Sequence, residues 1–349
     1  MIYYIFLFLI IIVLRYLIDC APFVNKRAIY EDKFSKFVLL LIVLMAAFRG
    51  VRVGADTILY IADYQNLPLY DFSGLNVRYE GYIGYYYLSK IFSLLNVPLW
   101  GWFGFIEFIY VASMYKFIRR FSKDKLFSIL VFCTIGLMTF SFAGLKQVLS
   151  MSIMMFAFMS FIDKRYVITI LLCVYAYFTH PAGLIFLAAF PLYLLRNKKR
   201  FMLYIIVSAI LVVLFSEAFM VGMVSALDNE HFEGYLQKDS SYSFVTLMYY
   251  IALMVASLFL YKLFYKREPD VAKISLGFVI IACGLQSMAR ISPNMFRLAF
   301  LYIPFMMILL PNTFYYAHEQ VGKGLKILVQ LFIILFFLYV NRNTPYYFM

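Results

Sequence analysis

Apolar runs follow one another along almost the whole of this 349-residue chain, and they constrain its fold more than any motif does. Residues 1–14 carry no charged side chain, and the thirty residues 166–195 carry no Lys, Arg, Asp or Glu. Short charged or Pro/Gly turns are all that break these runs. A bilayer core takes about 20 apolar residues per helical span, and a helix is the form that pairs its backbone polar groups within the segment. With 65% of residues hydrophobic and 14% charged, the apolar chain suffices for about 11 or 12 spans. Little remains for a soluble domain. The chain reads as an all-α polytopic membrane protein, a single integral membrane domain over 1–349.

Spans are expected near 2–18, 36–50, 99–118, 126–143, 147–162, 166–179, 182–195, 201–221, 244–262, 273–290, 297–316 and 325–341. The first run has no preceding positive charge and no small-residue cleavage site, so it reads as a span and not as a removed signal peptide. Tyr82–Val97 is aromatic and apolar but carries Ser89, Lys90 and Ser93. Topology decides its role. If it lies at the interface, the later loops alternate between a set holding seventeen Lys and Arg (Lys116 to Lys125, Lys164 and Arg165, Arg196 to Arg200, Lys262 to Lys273, Lys323 and Lys326) and a set holding five. The positive-inside rule then places the rich set in the cytoplasm. If the segment spans, that rule is violated. It is therefore read as one interfacial helix, with both termini outside and outer loops near 51–98 and 222–243. On this topology the net charge of +13 is an orientation signal and not a nucleic-acid footprint.

Several chemistries are excluded. Cys20, Cys133, Cys173 and Cys283 form no CxxC, and three of them sit in apolar runs, against disulfides or a zinc site. No GxxxxGK[ST] occurs, so the chain has no P-loop. No metal-ligand spacing is found; Glu230-His231-Glu233 reads as a solvated loop. No cofactor and no metal is expected. No internal repeat of the transporter kind is seen.

The unusual residues collect at the outer ends of the spans. Arg49 and Arg52, three apart at a span's end, are expected to share a helix face. Gly54 permits a tight turn, and Asp56 is placed to N-cap a short helix on which Tyr60 and Asp63 or Tyr64 follow at helical spacing. Two arginines can hold an anion, and a nearby carboxylate can act as a base; the alternative is snorkelling arginines beside a capping Asp. In Arg290-Ile291-Ser292-Pro293-Asn294-Met295-Phe296-Arg297, Ser292 and Pro293 read as N-cap and N1. Two arginines beside a helix N-terminus suit a phosphate or pyrophosphate. Thr179-His180-Pro181 and Gly144-Leu145-Lys146-Gln147 form two outer tips, and Arg78-Tyr79-Glu80 opens the interfacial helix. Glu107 and Glu217 lie within spans.

These residues carry a resemblance. Phe48-Arg49, Val53-Gly54-Ala55-Asp56-Thr57, Tyr60, Glu80-Gly81-Tyr82, Tyr87-Leu88, Lys146-Gln147, Phe178-Thr179-His180-Pro181-Ala182, Arg290 and Phe296-Arg297 resemble the EpsG family of Wzy-type polysaccharide polymerases, over about 37–316. One departure is Lys146, where the family pattern often has Arg; charge is kept but bidentate geometry is lost. The resemblance implies a GT-C-like bundle of about twelve transmembrane helices in the bacterial cytoplasmic membrane. Its active site would face outside, joining oligosaccharide repeat units carried on undecaprenyl pyrophosphate. Donor and acceptor are then both undecaprenyl-pyrophosphate-linked glycans, and a chain-length regulator is a candidate partner beside the membrane lipids. Within that reading Asp56 is the leading base and His180 the second. Arg52, Arg290 and Arg297 hold pyrophosphate, and Arg49, Tyr60, Glu80 and Lys146 support substrate. An O-antigen ligase-like transferase, a glycan flippase or exporter, and a purely structural scaffold of an envelope complex are the alternatives.

Overall fold

The computed structural model describes residues 2–20, 27–78, 81–218, 241–290, 295–343 and 346–348. These residues are helical almost throughout. The isolated bridge between Arg49 and Phe348 is the one piece of β pairing among them. The chain forms two compact units, Met1–Leu184 with Gly324–Met349, and Ile185–Lys323.

The first unit holds α1 (Ile2–Cys20), α2 (Arg27–Ala47), α3 (Thr57–Asn66), α4 (Phe72–Arg78), α5 (Ile83–Leu94), α6 (Leu99–Phe121), α7 (Lys125–Thr134), α8 (Leu137–Ser141), α9 (Leu145–Ile162) and α10 (Tyr166–Thr179). The second holds α11 (Ala189–Leu195), α12 (Phe201–Leu214), α13 (Ser241–Leu258), α14 (Tyr261–Arg267), α15 (Pro269–Ser287) and α16 (Phe296–Ala299). The long helix α17 (Met306–Val340) contributes its residues up to Lys323 to the second unit and the rest to the first.

Burial follows the pattern of a protein in lipid. On α10 the buried residues are Thr169, Ala176 and Thr179, while Val167, Ile170 and Leu171 are exposed. A helix in water does the reverse. Small and hydroxylated residues let backbones approach in a bilayer, and large apolar ones face the chains of the lipid. Tyr4, Leu7, Phe8, Ile11 and Ile18 of α1 are buried at helical spacing, with Phe6, Leu9 and Val13 exposed between them. Around α6 and α9 lies the core: Phe103, Ile106, Tyr110, Met114 and Phe117 from one, and Val148, Met155, Phe158 and Met159 from the other, all nearly inaccessible.

Three helices are long and apolar enough to cross a membrane, Ile2–Asp19, Leu145–Ile162 and Pro269–Arg290, or up to five if each of two bent pairs is one span. The bent pairs are Lys125–Thr134 with Leu137–Ala143, and Phe244–Leu258 with Tyr261–Arg267, at 51° and 63°. The expected spans 166–179, 182–195, 201–221 and 325–341 correspond to the shorter apolar helices Tyr166–Thr179, Pro181–Leu195, Phe201–Leu214 and Gly324–Val340. A turn was expected between 316 and 325; one helix runs through instead. The segment read as interfacial forms the 12-residue α5. At 1.5 Å per residue it reaches about 18 Å, too short to span. Lys90 on it is buried, donating to the carbonyls of Leu67 and Tyr70.

Charge gathers at one end of the first unit. Asp124, 1% exposed, caps α7 by accepting from the Phe127 N–H at 3.1 Å. It takes Arg15 Nη1 on Oδ1 at 2.9 Å and Lys326 Nζ on Oδ2. Beside it Glu31 accepts from the Lys125 N–H at 2.7 Å, and Asp32 pairs with Lys125 and Lys36. One carboxylate thus ties α1, α7 and the last part of α17 together. Burial alone would raise the Asp124 carboxyl, but Lys326 and Arg15 outweigh it and hold the group below 3.8. Asp124→Asn keeps an acceptor for the cap but takes the counter-charge from Lys326 and leaves Arg15 only Asp19, at 3.1 Å, and Glu31, at 3.9 Å. The expected cost is about 3 kcal/mol, the lower end for a broken buried pair because both cations retain some solvent contact. A group held low stabilises fully above its unfolded value and loses that contribution as pH falls through the folded one. Thermal unfolding in detergent should therefore show a lower Tm for the variant at neutral pH, and a gap from the native chain that narrows below about pH 4.

Candidate functional site

At the other end of the first unit, α2 stops at Ala47 and the chain turns through residues 48–56. Gly54 makes that turn with φ +90°, and an added Cβ would stand 2.2 Å from the Phe142 carbonyl oxygen. Thr57, fully buried, donates its hydroxyl to the Val53 carbonyl at 2.5 Å and lies 3.1 Å from the Phe142 carbonyl. Val53, Gly54 and Thr57 therefore seat the turn on the chain just before α9, and Asp56 is delivered half-buried at the head of α3. It occupies the N-cap position but makes no capping bond with its side chain.

Because the helix has ended, Arg49 and Arg52 do not share a helix face as expected. Arg49 is 0% exposed; its Nη1 donates to the Ala46 carbonyl at 2.7 Å, and the guanidinium lies 4.0 Å from the centre of the Phe103 ring. Arg52 is exposed.

The polar centre of this end is Lys146, the second residue of α9. Its Nζ lies 4.5 Å from the centre of the Tyr82 ring, 5.1 Å from that of Tyr86 and 5.7 Å from that of Tyr60. It donates to Tyr86 Oη at 3.2 Å, and Tyr86 donates in turn to Asp63 Oδ2 at 2.7 Å. Ammonium, phenol and carboxylate make a chain of hydrogen bonds across α9, α5 and α3. Electron-rich ring faces and the polarised phenol favour a positive charge here.

His180 follows α10 and packs its ring 5.2 Å from that of Tyr82. The approach of α5 to α10 makes this contact: a Cβ on Gly84 would sit 3.0 Å from the Phe178 backbone. His180 Nδ1 accepts from the Ala182 N–H at 3.2 Å. A neutral imidazole whose Nδ1 accepts carries its proton on Nε2. In that tautomer the Nε2–H is the ring's donor.

Among the expected site residues, Tyr60, Lys146 and His180 are thus brought to one cluster, with Asp56 and Arg52 on the neighbouring turn. Arg290 and Arg297 belong to the second unit. Arg290 Nη2 donates to the Val213 carbonyl at 2.8 Å and to Ser216 Oγ at 2.9 Å, closing the C-terminal end of α12. Arg297 lies on the four-residue α16. Glu80, Ser292, Pro293 and the Glu230-His231-Glu233 cluster lie outside the described residues. Glu107 is buried and Glu217 exposed. Among the described residues no group of three or more His, Cys, Asp or Glu is placed to hold a metal ion. The sequence reading passed over Tyr82 and Tyr86 as site residues. Their signal was a pair of tyrosines four apart on a short helix.

Gly54→Ala tests the seat of the turn. A side chain at that φ costs about 1–3 kcal/mol, and the Phe142 backbone cannot yield to the new methyl. A clear fall in Tm is expected, with Gly81→Ala as the control, since its φ is +83° but nothing lies within 4 Å of an added Cβ. The control loses the backbone share alone.

No curated protein and no solved structure matches this chain. The sequence pattern of the EpsG family matches residues 33–348, a stretch that contains the Gly54–Thr57 turn, the tyrosine-ringed lysine, His180, Arg290 and Arg297. The chain belongs to the EpsG family, and is a helical membrane protein of a kind associated with polysaccharide biosynthesis.

Proposed function

We propose that the protein is a polysaccharide polymerase that joins undecaprenyl-pyrophosphate-linked repeat units at the outer face of the bacterial cytoplasmic membrane, within a GT-C-like bundle of about twelve spans. The observation that carries this reading is the Lys146 ammonium ringed by Tyr60, Tyr82 and Tyr86, with Asp63 behind it and His180 at its side. Flat aromatic faces suit sugar rings, and a fixed cation suits a phosphate oxygen. Sidedness is supported by charge. Along α9, Lys146 stands at the first turn and Asp163, paired with Arg120 at 2.7 Å, just past the last. The tyrosine cluster is thus at the end away from the basic loops, and the positive-inside rule puts those loops in the cytoplasm.

In this reading a hydroxyl of the acceptor unit attacks the anomeric carbon of the growing glycan. The bond from that carbon to the pyrophosphate oxygen breaks, and undecaprenyl pyrophosphate leaves with the bonding electrons. Asp56 takes the proton of the attacking hydroxyl. Lys146 and the Nε2–H of His180 meet the charge growing on the phosphate oxygens, where scarce water makes each donor count, while Arg52 binds the pyrophosphate equally in the ground and transition states. Arg290 and Arg297 are pyrophosphate ligands supplied by the second unit in this reading, Arg49 supports the turn, and Glu80 binds substrate. The donor is already activated, so no cofactor is called for.

The test uses purified full-length protein in lipid vesicles with undecaprenyl-pyrophosphate-linked repeat units. A ladder of polymer is expected. Lys146→Met and Asp56→Asn should each lower its rate by about 100-fold or more, and Arg290→Ala with Arg297→Ala should abolish it while the protein still inserts. Transfer of glycan only to an acceptor that carries no lipid, or normal ladders from the double arginine variant, overturns the reading.

A further inference from the structure

The residues Tyr346–Phe348 lie far from the 48–56 turn in sequence, yet they are strapped onto it. Gly50 N–H donates to the Tyr347 carbonyl at 2.7 Å, and Arg49 pairs with Phe348 in an antiparallel bridge. The Arg52 N–H donates to Tyr347 Oη at 3.0 Å. Tyr346 Oη donates to the Met45 carbonyl at 2.6 Å, in the last turn of α2. The ring of Tyr346 meets those of Tyr3, Tyr4 and Phe142 at 5.4 to 5.8 Å. The fit at Gly50 is close: an added Cβ would fall 2.0 Å from the Tyr347 ring.

Two of these contacts bear on Arg52. A turn without regular hydrogen bonding holds its side chains only as well as its backbone is held. The Gly50 and Arg52 amides, two residues apart, both end on Tyr347, one on its carbonyl and one on its phenol. The exposed Arg52 guanidinium projects from the residue so fixed. We propose that Tyr347 is a positioning residue that orients Arg52 toward an anionic ligand. That ligand is the pyrophosphate of the lipid-linked substrate, a step that rests on the polymerase reading, whereas the strap itself does not.

The experiment has two readouts so that the two can fail separately. Hydrogen–deuterium exchange over residues 45–56 of the full chain in lipid vesicles reports the strap without any reaction. Deleting residues 346–348 should speed exchange there by about tenfold, as loss of bonds to two amides implies; Tyr347→Phe should speed it by less, since the Gly50 bond to the main chain survives. Exchange within twofold of the native chain in both variants overturns the strap. Steady-state polymerisation reports the positioning. Tyr347→Ala should raise KM for the lipid-linked donor about tenfold with kcat within twofold, and Tyr347→Phe should recover part of that loss. Combined with Arg52→Ala, Tyr347→Ala should add nothing, because its effect runs through Arg52. A full tenfold further loss in the double variant, or a fall in kcat with KM unchanged, overturns the positioning role. If the native chain forms no polymer the polymerase reading fails, and the donor-binding role proposed for Tyr347 is overturned with it. The exchange result then still decides the strap.

Discussion

Where α2 ends, its last carbonyls must find donors in a place that water hardly reaches, and the candidate site is built on how they do so. A helix leaves its final carbonyls without intrahelical partners. Here the Ala46 carbonyl accepts from Arg49 Nη1, and the Met45 carbonyl from the Tyr346 phenol. Each donor brings more than one bond. Arg49 lays its guanidinium on Phe103 of α6, and Tyr346 draws in the rings of Tyr3 and Tyr4 from α1. The helix end thereby fixes where the 48–56 turn begins, and the turn fixes Asp56 and the start of α3. From α3 come Tyr60 and Asp63, and the lysine cluster closes on them.

Burying Arg49 has an electrostatic cost that the surroundings only partly meet. Its Nε and Nη2 and both carboxylate oxygens of Glu107 have no hydrogen-bond partner among the described residues. The two side chains feel one another's charge, and Ser141 beside Glu107 donates instead to the Met138 carbonyl at 2.7 Å. A lone charge of either sign would be far more expensive here than the pair. Arg49 thus belongs to the foundation of the turn, while Arg52, three residues on, reaches the surface.

The separation of the two polar ends was legible in the sequence because charge counts along loops need no coordinates. Lys125, Asp163 and Lys326 fall at one end of the first unit and Lys146 and His180 at the other, as the alternation of loops implies. The interfacial reading of Tyr82–Val97 also emerged from topology, and the segment forms a helix of 12 residues. What the sequence hid was set by tertiary contact. Three-residue spacing put Arg49 and Arg52 on one face only while α2 was taken to continue. Asp56 stands at an N-cap, and the Asp type is right for one, yet the backbone enters α3 without that bond. The continuity of residues 306–340 was masked by Gly322, Lys323 and Gly324, which read as a turn. The strap at Tyr346–Phe348 had no local signal, because its partners lie some 300 residues away in sequence.

Lysine rather than arginine at position 146 also has a physical account. The three ring centres lie 4.5 to 5.7 Å from Nζ, distances suited to a compact ammonium that presents its positive charge to several faces at once. A guanidinium is planar and binds best as a fork against one flat acceptor. It would stack on a single ring and aim its fork past the others. An ammonium keeps three donors on one atom, and one of them goes to Tyr86 Oη. Lysine at this position therefore gives up bidentate grip on a phosphate and gains a cation shared among tyrosine faces, a combination suited to a ligand that brings sugar rings and phosphate oxygens to the same place.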